Sequence, residues 1–210
     1  MRPIFILLIL CFASCGSTED SADLYSKGMK AYRLKELAEA EKFFSEVVNI
    51  DDDLLNAKLM LCKINYYNGN LKSAIEYADS VLDTDPDHIG AMYWKARALL
   101  LTDGNNMAEP ADLLVRLLET DSHNIQARLL LGMIYEKESR NRDALHQYLA
   151  VIEEEEGIIS ARGNLALLYG RMGLVDKSRQ ELRAAKKIAA LSGKGEDRLN
   201  LICKEMEDKE

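Results

Sequence analysis

The sequence predicts an all-α protein, an α-solenoid of about five helix-turn-helix units followed by a C-terminal capping helix. A column of small residues recurs about every 34 residues, and a second small column and a third column repeat with it. Only three prolines and twelve glycines are present, a composition that favours helices. Two apolar helical segments per period indicate a repeat array with a continuous core. The columns are Gly28, Cys62, Ala96, Gly132 and Ala166, then Ala40, Ala74, Ala111, Ala144 and Ser178, then Phe44, Ala78, Val115, Tyr148 and Leu182.

The units follow one another over residues 21–192. The first pairs a helix over 21–32 with one over 37–48, the second spans roughly 55–88, and the third ends near 124. The third unit is two residues longer, and we expect a protruding loop over 102–109. Pro110 then lies in the first turn of the next helix, where its missing N–H costs nothing. The fourth unit begins near 125, and the second helix of the fifth continues to about 191.

Residues 193–210 are expected to form the capping helix. Apolar side chains recur there at helical spacing on an otherwise polar segment, which is the form expected of a cap on the open end of an array. They are Leu199, Ile202, Cys203 and Met206.

Two acidic runs lie between units. Asp51, Asp52 and Asp53 are predicted to cap the following helix, where carboxylates also meet the positive end of its dipole. A divalent-cation site is the alternative, but calcium loops alternate their ligands with other residues. The run over 153–156, four glutamates, is interpreted as a solvated charge run, with a role in selecting a partner as the alternative.

The first fourteen residues predict a secretory signal. Arg2 is their only charge, and an apolar run from Ile4 to Phe12 is too short to span a bilayer. The sequence over 12–15 resembles a bacterial lipobox, which implies cleavage after residue 14, lipidation of Cys15 and a polar tether over 15–20. The alternative is an ordinary cysteine beside a normal cleavage site. Multiple acyl chains would hold the mature chain stably at a membrane.

The repeated units resemble the tetratricopeptide repeat (TPR), in which small residues lie where two helices approach closely. The turn at Asp85, Pro86 and Asp87 matches the proline found at many turns between repeats in that family. The sequence departs from the family pattern by having Lys27 and Lys95 where other units have leucine, and by having Asn65 where tyrosine recurs. The resemblance implies a binding module whose first helices line a concave groove. Tyr25, Met29 and Met60 replace residues of the family's carboxylate clamp, so binding of chaperone tails is not implied.

We predict a peptide-binding groove on the first helices of units one to three. Tyrosines supply contact area and hydroxyl groups there, and Lys63 and Arg97 are placed to receive a carboxylate. The alternative is that the tyrosines belong partly to the core between repeats and that the cations snorkel. The predicted groove residues are Tyr25, Met29, Tyr32, Arg33, Lys63, Tyr66, Tyr67, Tyr93 and Arg97.

The composition argues against several function classes. Without residues 1–14 the chain has 26 basic and 35 acidic residues, a net charge of −9 that would repel nucleic acid. His88, His123 and His146 lie far from any plausible nucleophile or second ligand, so neither an enzyme nor a metal site is expected. Cys62 is interpreted as a small core residue. No cofactor or small-molecule substrate is expected.

The sequence therefore predicts a non-catalytic scaffold that binds a peptide or partner protein and is held at a membrane by a lipid anchor. The expected location is the bacterial cell envelope, at the outer membrane facing the periplasm. The role this suggests is envelope, pilus, secretin or β-barrel assembly. The alternative is a cell-wall module that recruits murein-processing enzymes.

Overall fold

The computed structural model describes residues 17–102, 106–152, 158–192 and 196–207, and within these ranges the chain is helical and forms no strand. The all-α prediction is confirmed. The helices of these ranges are α1 (Ser17–Arg33), α2 (Leu37–Ile50), α3 (Leu55–Tyr67), α4 (Leu71–Thr84), α5 (Ile89–Thr102), α6 (Ala108–Thr120), α7 (Ile125–Lys137), α8 (Asn141–Ile152), α9 (Ile158–Arg171), α10 (Val175–Ser192) and α11 (Glu196–Glu207).

The helices pack consecutively within two compact units, residues 1–77 and 78–210, whose boundary falls inside α4. In the first unit α1 packs on α2 and α2 on α3. In the second unit the series continues from α5 to α11, with α11 resting on both α9 and α10. No helix of the described residues has the length and apolar character needed to cross a membrane.

The predicted small-residue column is a packing seam. A Cβ atom added to Gly28 would lie 2.9 Å from the Phe44 ring, and one added to Gly132 would lie 2.5 Å from the Tyr148 ring. Both rings are fully buried and come from the third predicted column. The glycines are therefore required because an aromatic ring of the second helix occupies the space that a side chain would fill.

The last unit joins its two small columns by a hydrogen bond. The Ser178 hydroxyl donates to the backbone carbonyl of Ala166 at 2.6 Å, and both residues are buried. A serine is tolerated in this column because its polar atom has a partner.

The third unit departs from the predicted register. Val115 is 38% exposed, whereas Pro110, Leu114 and Leu117 are buried. The buried positions of α6 are thus shifted by one residue, and Leu114 rather than Val115 takes the place held by Phe44 and Tyr148. Ala111 is buried as predicted, but Pro110 is buried beside it and stands four residues before Leu114, so the prediction placed the third column one residue too late at Val115. Met107 is also buried, so the predicted loop over 102–109 is partly packed against the core.

Four of the turns between paired helices share one conformation. Lys35, Gly69, Ser139 and Gly173 all have positive φ, between 61° and 79°. In each turn the next residue donates a backbone hydrogen bond to a carbonyl five positions earlier, as when Asn70 N donates to Asn65 O at 2.9 Å. This is the Schellman arrangement, which favours glycine because a side chain is strained there. Only two of the four positions hold glycine.

The acidic run at 51–53 does not cap α3 as predicted. The residue before α3 is Leu54, which makes no side-chain cap. Instead, the Asp51 carboxylate accepts from Asp53 N at 3.1 Å. Asp52 pairs with Lys58 at 2.8 Å, and only 8% of the Lys58 side chain is exposed. The carboxylates therefore hold the turn and compensate a buried cation.

The C-terminal helix packs as predicted, whereas the first helix begins four residues before its predicted start at residue 21. Leu199 and Ile202 are buried against Ala185 and Ala189 of α10. At the other end, α1 begins at Ser17 and includes residues 17–20, which lie within the range predicted as a tether. Residues 1–16, with the predicted signal and Cys15, lie outside the described residues, as does the glutamate run over 153–156.

Candidate peptide-binding surface

The predicted groove residues lie on α1, α3 and α5, each the first helix of a pair. Tyr93 and Arg97 belong to the second compact unit, and the other seven belong to the first. The two groups are described separately below.

The side chains from α1 contribute partly to the core of the first unit. Tyr25, Met29 and Tyr32 are half-buried and pack against the cluster around Phe44. The Tyr25 ring meets the Phe44 ring edge to face at 5.4 Å, and burial raises the pKa of Tyr25. Arg33, at the end of the helix, is exposed. The alternative that these tyrosines belong partly to the core therefore holds for both Tyr25 and Tyr32.

Three tyrosines from α1 and α3 meet beyond this core. Tyr32 and Tyr67 share a hydrogen bond between their side chains, and the pKa of Tyr32 is raised by burial and then by Tyr67. The rings of Tyr66 and Tyr67 pack edge to face at 5.7 Å. Tyr67 is 54% exposed. Tyr67 therefore reaches the surface, while Tyr32 and Tyr66 are half-buried beside it.

Lys63 lies one helical turn before Tyr66 and Tyr67, on the same face of α3. Its side chain is half-buried, and desolvation by burial lowers the pKa of Lys63, while the neighbouring Cys62 acts in the opposite sense. A partly desolvated ammonium group gains more from an incoming carboxylate than an exposed one does. We call Tyr32, Lys63, Tyr66 and Tyr67 the tyrosine-lysine surface.

The second unit holds an aromatic and cationic cluster on α5. The guanidinium of Arg97 lies 4.6 Å from the centre of the Trp94 ring and 5.5 Å from that of Tyr93. The two rings meet edge to face at 5.6 Å. Trp94 was missed from the sequence, although its spacing of three residues from Arg97 places the two side chains together on a helix. This stacking holds the planar cation against the two rings.

Two departures from the family pattern have structural roles. Lys95 is 15% exposed and pairs at 2.8 Å with both Asp79 and Glu109. Desolvation opposes its charge, but the hydrogen bonds and charges of the two carboxylates outweigh it and raise the pKa of Lys95. Asn65 is buried and donates to Glu41 at 3.1 Å and to the Leu61 carbonyl at 3.0 Å. Both polar groups therefore hold helices together.

The histidines show no catalytic arrangement. His88 accepts a hydrogen bond from Ala91 N at 3.2 Å and so caps the start of α5, while His123 and His146 are exposed. In the described part of the chain, no three His, Cys, Asp or Glu side chains are grouped so that they could hold a metal ion. Cys62 is fully buried, as predicted for a small core residue.

Comparisons with known proteins agree with this architecture. Residues 59–125 match the family model of the tetratricopeptide repeat. No curated protein matches the sequence.

Several solved structures share the fold at low sequence identity. MamA (residue 41 to the end) from Desulfovibrio magneticus RS-1 is 17% identical with a TM-score of 0.73, over 81% of this chain and 96% of that one. YrrB, described as a TPR protein with an unusual peptide-binding site, is 20% identical with a TM-score of 0.68, over 90% and 93%. TTC0263, a thermophilic TPR protein of Thermus thermophilus, is 16% identical with a TM-score of 0.69, over 89% and 98%. The helix pairs of this chain thus form a TPR-type α-solenoid, and residues 59–125 match the TPR family itself.

Proposed function

We propose that this protein is a non-catalytic scaffold that binds an extended peptide or a segment of a partner protein. The observation that carries this proposal is the tyrosine-lysine surface of the first unit. Its half-buried Lys63 lies one helical turn before Tyr66 and before Tyr67, which is 54% exposed. Aromatic bodies give contact area at low entropy cost, and a desolvated cation selects an anionic group.

The chemistry of the surface favours a peptide with aromatic or apolar side chains and one carboxylate. Tyr67 presents an exposed aromatic ring, and Lys63 is a half-buried point charge on the same helix. A charge-assisted contact of this kind contributes about 1.5–3 kcal/mol, or roughly 10- to 100-fold in affinity. The peptide-binding site named for YrrB supports the class of function, since the two chains share a fold.

We also propose that the chain is anchored outside the cytoplasm by lipid on Cys15. The apolar run over 4–12 and the small residues before Cys15 support this proposal. Such an anchor would place the scaffold in envelope, pilus, secretin or β-barrel assembly. In Cys15→Ser, the protein should move from the detergent phase to the soluble fraction and lose a lipid label. Unchanged partition, with no label on the parent protein, would contradict the anchor.

Quantitative capture from solubilised membranes tests the binding surface. The bait is the full chain, compared with Lys63→Met and Tyr67→Ala, and the matched control is Lys72→Met, whose side chain is 90% exposed on α4. We expect Lys63→Met to reduce recovery of a specific partner at least tenfold and Lys72→Met to leave it unchanged. Arg97→Met, tested separately, shows whether the cluster on α5 takes part.

Equal recovery by all four variants would place binding elsewhere on the protein. The identity of the captured partner decides the biological role. A pilus, secretin or barrel protein supports the assembly role, whereas a murein hydrolase supports recruitment of cell-wall enzymes.

A further inference from the structure

The charge of the chain is distributed unevenly, and the segment over 158–204, which lies between the glutamate run at 153–156 and an acidic end over 205–210, is basic. Residues 158–204 contain ten lysines and arginines and four acidic residues, a local charge of +6 in a chain whose net charge is −8. Electrostatic interactions are screened over about 8 Å at physiological ionic strength. A partner near this region therefore meets the local positive charge and not the net charge of the protein.

Four of these cations form a strip on the outer face of α10. Arg179, Arg183, Lys186 and Lys187 are all exposed, and their spacing of three to four residues places them on one side of the helix. The opposite face of the helix is buried at Ser178, Ala185 and Ala189. The strip extends over about 12 Å along the helix axis. We call these four side chains the basic strip.

In the part of the chain whose side chains the structure describes, no acidic group around α10 forms an ion pair with the basic strip. Glu181, on the same helix, pairs with Arg162 of α9 at 2.6 Å. Asp176 lies near Arg179 at the start of the helix. Like charges four residues apart destabilise a helix slightly. The strip therefore opposes folding slightly unless a partner supplies negative charge.

Apolar side chains are exposed beside the strip, in the turn where α9 leads into α10. Met172 is 42% exposed, Leu174 39% and Val175 48%. Scattered apolar side chains are ordinary on a surface, but three within four residues at the end of a basic strip form a combined patch. Cations followed by adjacent apolar groups match the chemistry of an anionic lipid interface, in which headgroups lie above acyl chains.

We propose that the basic strip, together with Met172, Leu174 and Val175, binds an anionic membrane surface. A planar array of lipid phosphates can meet all four cations at once. An acidic peptide fits less well, because the strip lies on the outward face of one helix and, in the described structure, the depression at Arg179 and Arg183 is lined by α10 alone. This inference is independent of the proposed peptide-binding function, since α10 contributes nothing to the tyrosine-lysine surface.

Vesicle co-sedimentation of the full chain tests the proposal. Phosphatidylcholine vesicles containing phosphatidylglycerol are compared with vesicles of phosphatidylcholine alone, so that any binding by the apolar residues 4–12 is common to both. One variant carries four changes to glutamine in the strip. The control removes four exposed cations elsewhere, giving the same change in net charge. The strip variant is Arg179→Gln, Arg183→Gln, Lys186→Gln and Lys187→Gln, and the control is Lys42→Gln, Lys72→Gln, Lys137→Gln and Arg142→Gln.

We expect the parent and the control to bind the anionic vesicles, with binding that weakens as salt is added. The strip variant should lose at least about tenfold in partition, because each cation near a charged membrane contributes about fivefold. Coincident thermal melts of the strip variant and the parent establish that the fold is retained. If the strip variant and the parent melt at different temperatures, the proposal is tested by the salt dependence of the parent alone. Binding of the parent to anionic vesicles that does not change with salt overturns the proposal.

Three further results would overturn the inference. The first is equal partition of the strip variant and the control. The second is equal binding of the parent to neutral and anionic vesicles. The third is binding of the parent to polyglutamate in calorimetry with no binding to anionic vesicles, which would assign the strip to an acidic polypeptide instead.

Discussion

Gly132→Ala tests whether the small-residue column is a packing seam, and its effect can be estimated from the structure. The added Cβ would lie 2.5 Å from Cε1 of Tyr148 and 2.9 Å from Cδ1. Normal contact between carbon atoms is about 3.5–4.0 Å, so the ring must move by roughly 1 Å. It cannot swing freely, since Tyr148 is fully buried and its hydroxyl donates to Glu136 at 2.9 Å.

Two opposing effects set the size of the change. Overpacking of a core destabilises by about 1–3 kcal/mol, and this ring is held at both ends, which favours the upper value. Replacing glycine by alanine within a helix contributes about 1 kcal/mol in the other direction. The expected net loss is about 2 kcal/mol, equivalent to a melting temperature lower by about 4–8 °C.

Gly170→Ala is the matched control, because it is the same change in a helix with open space. The added Cβ would meet only the Ser178 hydroxyl oxygen, at 3.5 Å. This variant should gain up to about 1 kcal/mol. Thermal and urea unfolding of both variants provide the measurement. The double variant Gly132→Ala with Tyr148→Ala should lose at least about 1 kcal/mol less free energy of unfolding than the sum of the losses in the two single variants. Gly132→Ala melting with or above Gly170→Ala would refute the packing argument.

Three further changes test the turns and the binding surface. Lys63→Met should keep or raise the free energy of unfolding at neutral pH, because burial lowers the pKa of Lys63 in the folded state. The unfolded chain binds the Lys63 proton more tightly than the folded chain does. In urea unfolding, the gain in free energy of unfolding of the variant over the parent should therefore shrink as the pH rises through the lowered pKa toward 10.5. A free energy of unfolding more than about 1 kcal/mol below that of the parent at neutral pH contradicts this. Asp52→Ala should lower the free energy of unfolding by about 1–2 kcal/mol, because buried Lys58 loses its partner. The control Asp53→Ala changes an exposed residue and should be nearly neutral. Equal melting temperatures of the two variants would favour the capping interpretation instead. Ser139→Gly should stabilise by about 0.5–1 kcal/mol, because its φ is 61°, and a lower melting temperature would exclude strain there.

The repeat period was enough to predict the fold and most of its core. Gly28 and Gly132 were placed in a small-residue column, and the structure shows an aromatic ring against each of them. The period succeeds because each unit repeats the same contacts between neighbouring helices. It failed in α6, where Leu114 takes the position given to Val115 in the third column, and a one-residue shift moves every side chain of the helix by about 100°.

The candidate site was predicted less completely than the fold. Sequence spacing placed Tyr66 and Tyr67 on one face with Lys63, but it could not show that Tyr25 is half-buried against Phe44. Depth of burial depends on the neighbouring helix, which spacing within one helix does not describe. The pairing of Lys58 with Asp52 was missed for the same reason, since helix capping was judged from the chain order alone.

The basic strip was missed for a different reason, because its four cations can be read directly from the sequence. The net charge of −8 concealed them, as an average over the whole chain cancels a local excess. The structure adds that Arg179, Arg183, Lys186 and Lys187 are all exposed on one face of α10.

Site-specific photo-crosslinking in cells tests most directly the claim that the first helices bind a partner. A photoreactive amino acid replaces Tyr67, which is 54% exposed within the tyrosine-lysine surface, and in a second strain replaces Val115, which is 38% exposed on α6. We expect one discrete crosslinked product from position 67, which is lost when Lys63→Met is added, and no product from position 115. The same product from position 115, with none from position 67, would contradict it.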